Sequence, residues 1–458
     1  MKKVDMLSGS VARSIVAFSI PMFLTYLIQL LYYTTDTIFV GRFLGTDAQA
    51  AVGAGGTLVT MMIGLLGGIT TGVSVLISRY YGAGDREGLS RATTAAFVMA
   101  VLLSLALSVF GVLFCRTFLV LVNTPEEILP MATAYLRVYC CSLTAMVLYN
   151  TGLGMVRATG NSFRPMLFQI AGGLLNILFD FLFLVVFQMG AVGSAWGTLA
   201  AQSVVALVVL VYVLRQKDVF RLQRPSMEIL TPELRKIWMV GAPAGLQAML
   251  ITLSNVLIQA QINRLGTIAI AAFTAYFEVE LLIYYPILAF GQAVSVFVGQ
   301  NYGASQQRRA CYGVRITIRI GVLFTLAMSL FCILTAPLLF GIFSKDADVI
   351  RFGVSIARIT FPFYFFYVFL QVFGDALRAM RYSFSVMLIV LLNIGLLRVT
   401  LMYLFQAVSG TVETLVLIYP VTWFTAGACM SAYYYKKRFE ELQEVAPISL
   451  NEEIEPTV

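Results

Sequence analysis

Histidine is absent from the 458 residues. That excludes His-ligated metal sites and imidazole proton relays, so any proton this chain moves must ride on a carboxylate. Charge is scarce too: Asp, Glu, Lys and Arg make up 12% of the sequence, against about 25% in soluble domains. Such a deficit rules out an ordinary soluble domain. The six cysteines lie in or beside apolar stretches and none pairs as CxxC, so a disulfide framework or metal knuckle is not expected, whereas membrane-buried thiols are. No HExxH, GxSxG or Gly-rich phosphate loop occurs, which leaves an intramembrane enzyme without its usual groups. Lys2 and Lys3 precede the first apolar run and no small-residue cleavage motif follows it. That run is expected to remain as an anchor.

Apolar sequence fills the space that charge leaves. Hydrophobic residues reach 59% and mean hydropathy is +0.87. Twelve runs, at 12–40, 48–78, 91–119, 128–156, 162–187, 190–214, 237–263, 270–299, 312–341, 349–377, 383–406 and 411–435, are each long enough to cross a hydrocarbon core of about 30 Å. The expected fold is an all-α integral membrane protein. Residues 1–214 form an N-lobe of six spans, 215–236 a hydrophilic linker, 237–435 a C-lobe of six more, and 436–458 an acidic, disordered tail. With both termini inside, 23 Lys and Arg fall on the cytoplasmic side and eight lie outside or within spans. This positive-inside bias places both termini in the cytoplasm and the chain, multi-pass, in a bacterial inner membrane. The net charge of +8 therefore reflects topology, and no nucleic-acid partner is expected.

An internal repeat organises the spans. Residues 44–166 align without a gap onto 265–387 at an offset of 221. Leu44-Gly45-Thr46 recurs as Leu265-Gly266-Thr267, Tyr81-Gly82-Ala83 as Tyr302-Gly303-Ala304, and Arg157-Ala158 as Arg378-Ala379. Six spans separate the copies, so both run the same way through the membrane. A pseudo-two-fold axis along the membrane normal then relates the lobes.

The repeat is broken where polar residues interrupt the apolar runs. Asn176 and Asp180, in the otherwise greasy 172–187, are four apart and share a helix face. A carboxylate there costs about 2.5–3.5 kcal/mol on insertion scales, which makes it a functional-site candidate. Asp36 ends a polar stripe with Thr25, Gln29 and Tyr32. Its repeat counterpart is Leu257; Asn176 is matched by Asn393 but Asp180 by Leu397. Carboxylates needed only for lobe packing would recur, so the ion site is expected in the N-lobe. Two nearby carboxylates raise each other's proton affinity, and the same oxygens suit Na⁺ with help from Asn176 and a hydroxyl such as Thr198. Tyr135 is a second donor, or an interfacial tyrosine. Pro21, paralleled by Pro243, offers a hinge or a fixed bend in the first span. Gln29, Tyr33, Met61, Met146 and Tyr149 are candidates to line a substrate path, though such residues also pack. Glu280, beside Glu278 near the outer surface, is a possible secondary site. Asp375, near Arg378, reads as half of an ion pair.

Taken in order, these features resemble multidrug and toxic compound extrusion (MATE) transporters. The matching stretches are Asp36-Thr-Ile-Phe-Val-Gly41-Arg-Phe-Leu-Gly45, Tyr81-Gly82-Ala83-Gly84-Asp85, Arg157-Ala-Thr-Gly160-Asn161, Asn176-x3-Asp180 and Val298-Gly299-Gln300-Asn301-Tyr302-Gly303. The resemblance, over residues 8–436, implies an antiporter that expels amphipathic, often cationic, compounds in exchange for H⁺ or Na⁺. It needs no cofactor beyond that ion, contacts membrane lipids and works as a monomer. For the DinF-like branch it implies an N-lobe cation site at Asp36, Asn176, Asp180 and Thr198 with Tyr135 nearby, and a first span that bends at Pro21. The NorM-like branch adds C-lobe carboxylates in spans seven and ten. Here span seven has none, and Asp375 lies too near its cytoplasmic end. The alternative is a lipid-linked-glycan flippase of the same superfamily. Those usually carry 13–14 spans and a cationic cavity, against twelve spans and acidic N-lobe charges here.

Overall fold

The computed structural model describes residues 3–216, 219–408 and 412–445, and among them there is no strand. The first half comprises α1 (Val11–Leu44), α2 (Thr46–Ala54), α3 (Gly56–Ala83), α4 (Arg86–Leu121), α5 (Leu129–Ala158), α6 (Phe163–Asp180) running on as a π-helical stretch Phe181–Val186, and α7 (Ala191–Arg215). The second half comprises α8 (Met227–Asn263), α9 (Thr267–Gly303), α10 (Gln307–Leu334), α11 (Ala336–Phe343), α12 (Ala347–Thr360), α13 (Phe365–Ala379), α14 (Ser383–Val390), a second π-helical stretch Leu391–Leu397, α15 (Arg398–Val408) and α16 (Val412–Val445). Among the described residues eleven helices are long and apolar enough to cross a membrane, or twelve when the pair α12 and α13 is one span bent by 52°. That bend lies at Phe361–Phe363, a single 3₁₀ turn holding Pro362, where the ring removes a backbone donor and blocks a regular helix.

Local chemistry explains the boundaries. In Tyr81-Gly82-Ala83-Gly84-Asp85, Gly84 adopts φ +68 to end α3. Asp85 then caps α4 by accepting from the Gly88 N–H at 2.8 Å, so one short motif stops a helix and starts the next. Two expected boundaries need correcting. The linker is shorter than 215–236, because α8 begins at Met227 and buries Glu233. Glu233 accepts from the Tyr80 hydroxyl on α3 at 2.9 Å and from Lys236 at 2.8 Å, so this polar turn is packed. The tail does not become disordered at Lys436 either, since α16 continues to Val445. Lys437 pairs with Glu440 at 2.6 Å and Tyr382 donates to Glu441 at 3.1 Å, which hold the helix past the basic cluster. Residues 446–458 lie outside the described residues.

The halves meet through α3 against α8 and α9. A methyl added at Gly68 would stand 2.1 Å from the backbone N of Gly245, and one at Gly72 2.5 Å from the Ile237 carbonyl oxygen. The α3–α9 contact displays the repeat directly. A methyl at Gly82 would meet the Gln300 carbonyl at 2.0 Å, and one at Gly303 the Arg79 carbonyl at 2.0 Å. Each contact is the other's image under the offset of 221, as an axis between α3 and α9 requires.

The N-terminal segment closes one end of this interface. The Val4 N–H donates to the Gly160 carbonyl at 3.0 Å on the first half. Asn301 on the second half donates to the Met6 carbonyl at 2.9 Å, and Arg309 donates to the carbonyls of Ser8 and Gly9. Met6 is buried in the core of the second half. Asp5 shapes the strap by accepting from the Ser8 hydroxyl and the Leu7 N–H, bonds that hold its carboxyl below the usual carboxylate value.

A Gly68→Ala substitution is expected to destabilise the purified protein by about 1–3 kcal/mol through overpacking, whereas Gly67→Ala, which faces open space, should be neutral. Thermal melting of both variants in detergent checks this. Equal melting points would remove the close crossing as a constraint.

Candidate cation site and amide-lined cavity

Asn176 and Asp180 share one face of α6, and both are buried, Asp180 completely. Asp180 is the last residue before the π-helical stretch, a helix type often found at functional sites. Across from it α7 brings Gly197 and Thr198. A methyl at Gly197 would stand 2.2 Å from Asp180 Oδ1 and 3.2 Å from its backbone N, so any larger residue there must displace the carboxylate. The next residue, buried Thr198, accepts from Asn176 Nδ2 at 3.4 Å. Asn176 Oδ1 is buried without a donor among the described residues. A carboxylate, an amide oxygen and a hydroxyl thus converge from two helices, a hard-oxygen set that suits H⁺ or Na⁺ and not a soft metal. Among the described residues no group of three His, Cys, Asp or Glu could hold a metal ion.

Beside this site is a cavity of about 330 Å³, within the usual range for small-molecule sites. Gln29 and Leu30 of α1, Ile63 of α3, and Met146, Tyr149 and Asn150 of α5 line one part. Gln169, Gly172, Gly173 and Asn176 of α6, with Thr198, Ala201, Gln202 and Val205 of α7, line the rest, and Tyr285 of α9 reaches in from the other half. Tyr285 is held by stacking on Tyr26 of α1, ring centroids 5.5 Å apart. Of the residues read from the sequence as substrate-lining, Gln29, Met146 and Tyr149 stand here, while Met61 is half-buried on α3 and does not line this cavity. Tyr135 is buried in the same apolar cluster as Met146. Pro21 lies inside the unbroken α1, its carbonyl accepting from the Thr25 hydroxyl at 2.8 Å. The side chains of Asp36 and Tyr33 lie outside the described residues.

The MatE family model matches the sequence twice, over residues 21–182 and 243–404. The chain belongs to the MatE family of multidrug efflux transporters. A probable multidrug resistance protein of Bacillus subtilis, YpnP, is 28% identical over 412 residues, covering 90% of this chain and 92% of its own. An FAD transporter of Shewanella oneidensis is 25% identical over 445 residues, 95% of this chain and 96% of its own. A MATE-family transporter of the MOP superfamily, solved in an outward-facing conformation, shares the fold with a TM-score of 0.89 over 97% of this chain and 99% of that one, at 23% identity.

In this MATE fold the second half carries a different polar cluster. Glu278 is exposed, but Glu280 is half-buried and accepts from the fully buried Tyr364 hydroxyl at 2.6 Å, so nearness to the outer surface does not leave it solvated. Arg398 follows directly on the second π-helical stretch. It is buried, donates to Thr422 at 3.2 and 3.3 Å, and lies over the Tyr419 ring at 5.1 Å. Among the described residues no carboxylate comes within 4.0 Å of it. Sequence reasoning counted Arg398 among the eight cations outside or within spans and gave it no role, missing this burial. The available signal was its place next to Leu397, the counterpart of Asp180. Asp375 does pair with Arg378, as expected, and accepts from Gln371 at 2.7 Å. The cavity amides Asn150, Gln169 and Gln202 were also missed.

A Gly197→Ala variant is expected to insert and purify normally but to lose at least about tenfold of its efflux rate, since the added methyl drives α7 off the carboxylate. Wild-type efflux from this variant, measured beside Gly67→Ala, would show that the approach is not required.

Proposed function

We propose that this MATE-family chain is a secondary antiporter that exports amphipathic or cationic compounds in exchange for H⁺ or Na⁺ by alternating access. The observation that carries the reading is the completely buried Asp180 against Gly197, with Asn176 and Thr198 beside it and the cavity adjoining. A buried carboxylate strongly prefers to be protonated or paired with a cation. Binding and release of H⁺ or Na⁺ there would change the charge next to the substrate cavity. Asp36, on α1, completes the set in this reading, and Tyr135 lies on the neighbouring α5. Pro21 serves as the hinge by which α1 responds. Glu280 is a secondary site at most, because its carboxylate already accepts from the buried Tyr364 hydroxyl in its own half.

In this reading the protein works in a bacterial inner membrane as a monomer among lipids, and its loop charges support cytoplasmic termini. The strap then closes the cytoplasmic end and leaves the opposite end to open. Relatives named for multidrug resistance and for FAD transport support small organic substrates over a lipid-linked glycan, and the flippase reading is not favoured. No cofactor other than the coupling ion enters this mechanism.

The test is efflux of a fluorescent cation from proteoliposomes under an imposed ΔpH or ΔNa⁺, applied singly. Asp36→Asn and Asp180→Asn should each abolish gradient-driven efflux with membrane insertion intact, and Glu280→Gln should cost far less. Active pumping by either Asp variant would end the N-lobe coupling reading, and a comparable loss at Glu280 would move coupling to the second half.

A further inference from the structure

At the end of the fold where the strap lies, the repeat makes two equivalent places, and one strap can occupy only one of them. At the first, Gly160 adopts φ +90, and a methyl there would stand 2.4 Å from the Val4 carbonyl oxygen of the strap. Lys3 of the strap reaches the Tyr81 hydroxyl. At the offset of 221, Gly160 and Tyr81 become Arg381 and Tyr302. Arg381 keeps the left-handed backbone, φ +76, but carries a long, exposed side chain where the first place has glycine. A non-glycine residue held there is strained, and such strain persists where the side chain has a use. Charge gathers around it. Arg79, at the end of α3, is half-buried, and its repeat counterpart is the uncharged Gln300. The Arg79 guanidinium lies over the Tyr302 ring at 5.8 Å and within electrostatic reach of Arg381. Among the described residues no carboxylate comes within 4.0 Å of either arginine. Glu441, at the end of α16, is within electrostatic reach of Arg79. It accepts from the Tyr382 hydroxyl at 3.1 Å and is one acid against two guanidiniums.

We infer that Arg79 and Arg381 form a site for an anionic phosphate, carried by a phospholipid headgroup or by a small soluble phosphate ester. Two like charges held near each other repel, and a shared anion removes that cost. Guanidinium forks match phosphate oxygens in geometry as well as in charge. Arg79 belongs to the first half and Arg381, in the turn between α13 and α14, to the second. A phosphate held by both therefore ties the halves together at the end that the strap closes. Opening that end would part the two guanidiniums, so the ligand favours the closed arrangement. That consequence rests on the proposed alternating access, whereas the site itself does not. The loop charges that support a cytoplasmic position for this end also set it against the anionic leaflet surface.

Titration of the purified full chain, in neutral detergent, with phosphatidic acid labelled on its acyl chain tests the site, against phosphatidylcholine with the same chains. Wild type should bind phosphatidic acid at least about tenfold more tightly. Arg79→Gln, which installs the residue found at the repeat position, and Arg381→Gly, which restores the Gly160 arrangement, should each lose about tenfold of that affinity. Arg381→Gly also relieves the left-handed strain. Its melting point should match or exceed that of wild type, which separates lost binding from misfolding. Arg308→Gln, at an exposed arginine of α10, should stay within about twofold of wild type at physiological ionic strength. Displacement of the lipid by excess glycerol 3-phosphate would assign the site to soluble phosphates, and failure to displace it would assign the site to headgroups; both outcomes keep a phosphate site here. The inference is overturned if wild type shows no preference for phosphatidic acid. It is equally overturned if Arg308→Gln costs as much as the other two, since the general pull of basic loops on anionic lipid then suffices.

Discussion

The backbone-to-backbone crossing of α3 and α8 is the constraint on which the arrangement depends. Inside a bilayer, helices gain nothing from excluding water, because lipid tails are as apolar as leucine. Association rests on close packing, which small residues permit. Gly68 and Gly72 on α3 face Gly241 and Gly245 on α8, and a methyl at any of the four would come within 3.0 Å of backbone on the other helix. The related crossing, of α1 on α9, is built differently. Residues 19–24 of α1 hold no glycine, and the helices meet through side chains such as the Tyr26–Tyr285 stack. One crossing is locked at the backbone and the other is held by rotatable rings. Displacing α1, which carries Gln29 and Asp36, breaks fewer close contacts than displacing α3.

That asymmetry places the polar residues where movement is least costly. The cavity is bounded by α1 on one side and by α5, α6 and α7 on the other, with Tyr285 as the sole described lining residue from the second half. A shift of α1 therefore changes the cavity and, in the proposed exporter, moves the helix that carries Asp36. The Asn176–Asp180 face is packed against α7, which comes close to the carboxylate at Gly197. In the proposed exporter, displacing α1 against this packed carboxylate links ion occupancy to cavity shape.

Much of this was legible in the sequence because membrane burial writes itself into composition. The spans follow from run length, the repeat from Gly82/Gly303 and their neighbours, and the Asn176–Thr198 meeting from one-face spacing together with the family resemblance. What the sequence hid has physical causes. Hydropathy tracks apolar content and is blind to whether Lys436–Val445 stays helical, which depends on pairs such as Lys437–Glu440. It is equally blind to the bend at Phe361–Phe363, since Pro21, Pro243 and Pro286 all sit inside unbroken helices. Amides such as Gln169 and Gln202 scarcely alter an apolar average, and only the fold shows that they face one space. Gln202 lies one turn after Thr198 and Gln169 two turns before Asn176, a spacing that extends the cation-site face along each helix.

The two π-helical stretches expose the deepest difference between the halves. Each interrupts the fifth span of its half; one follows Asp180 and the other precedes Arg398. The first half thus sets an acid beside its π turn, and the second sets a base there. A carboxylate exchanges protons within the physiological range once its surroundings raise its affinity, whereas a guanidinium keeps its charge at every such pH. Arg398, fixed by Thr422 and the Tyr419 ring, is consequently a permanent cation. It can stabilise Glu280 but cannot itself load or release a proton. The counterpart of Asp180 in the repeat is Leu397, the residue before Arg398, so the second half keeps no acid at the equivalent position. In the proposed exporter the first half thus holds a buried acid beside its π-helical stretch, whereas in the second half the acids Glu280 and Asp375 already accept from Tyr364 and Arg378.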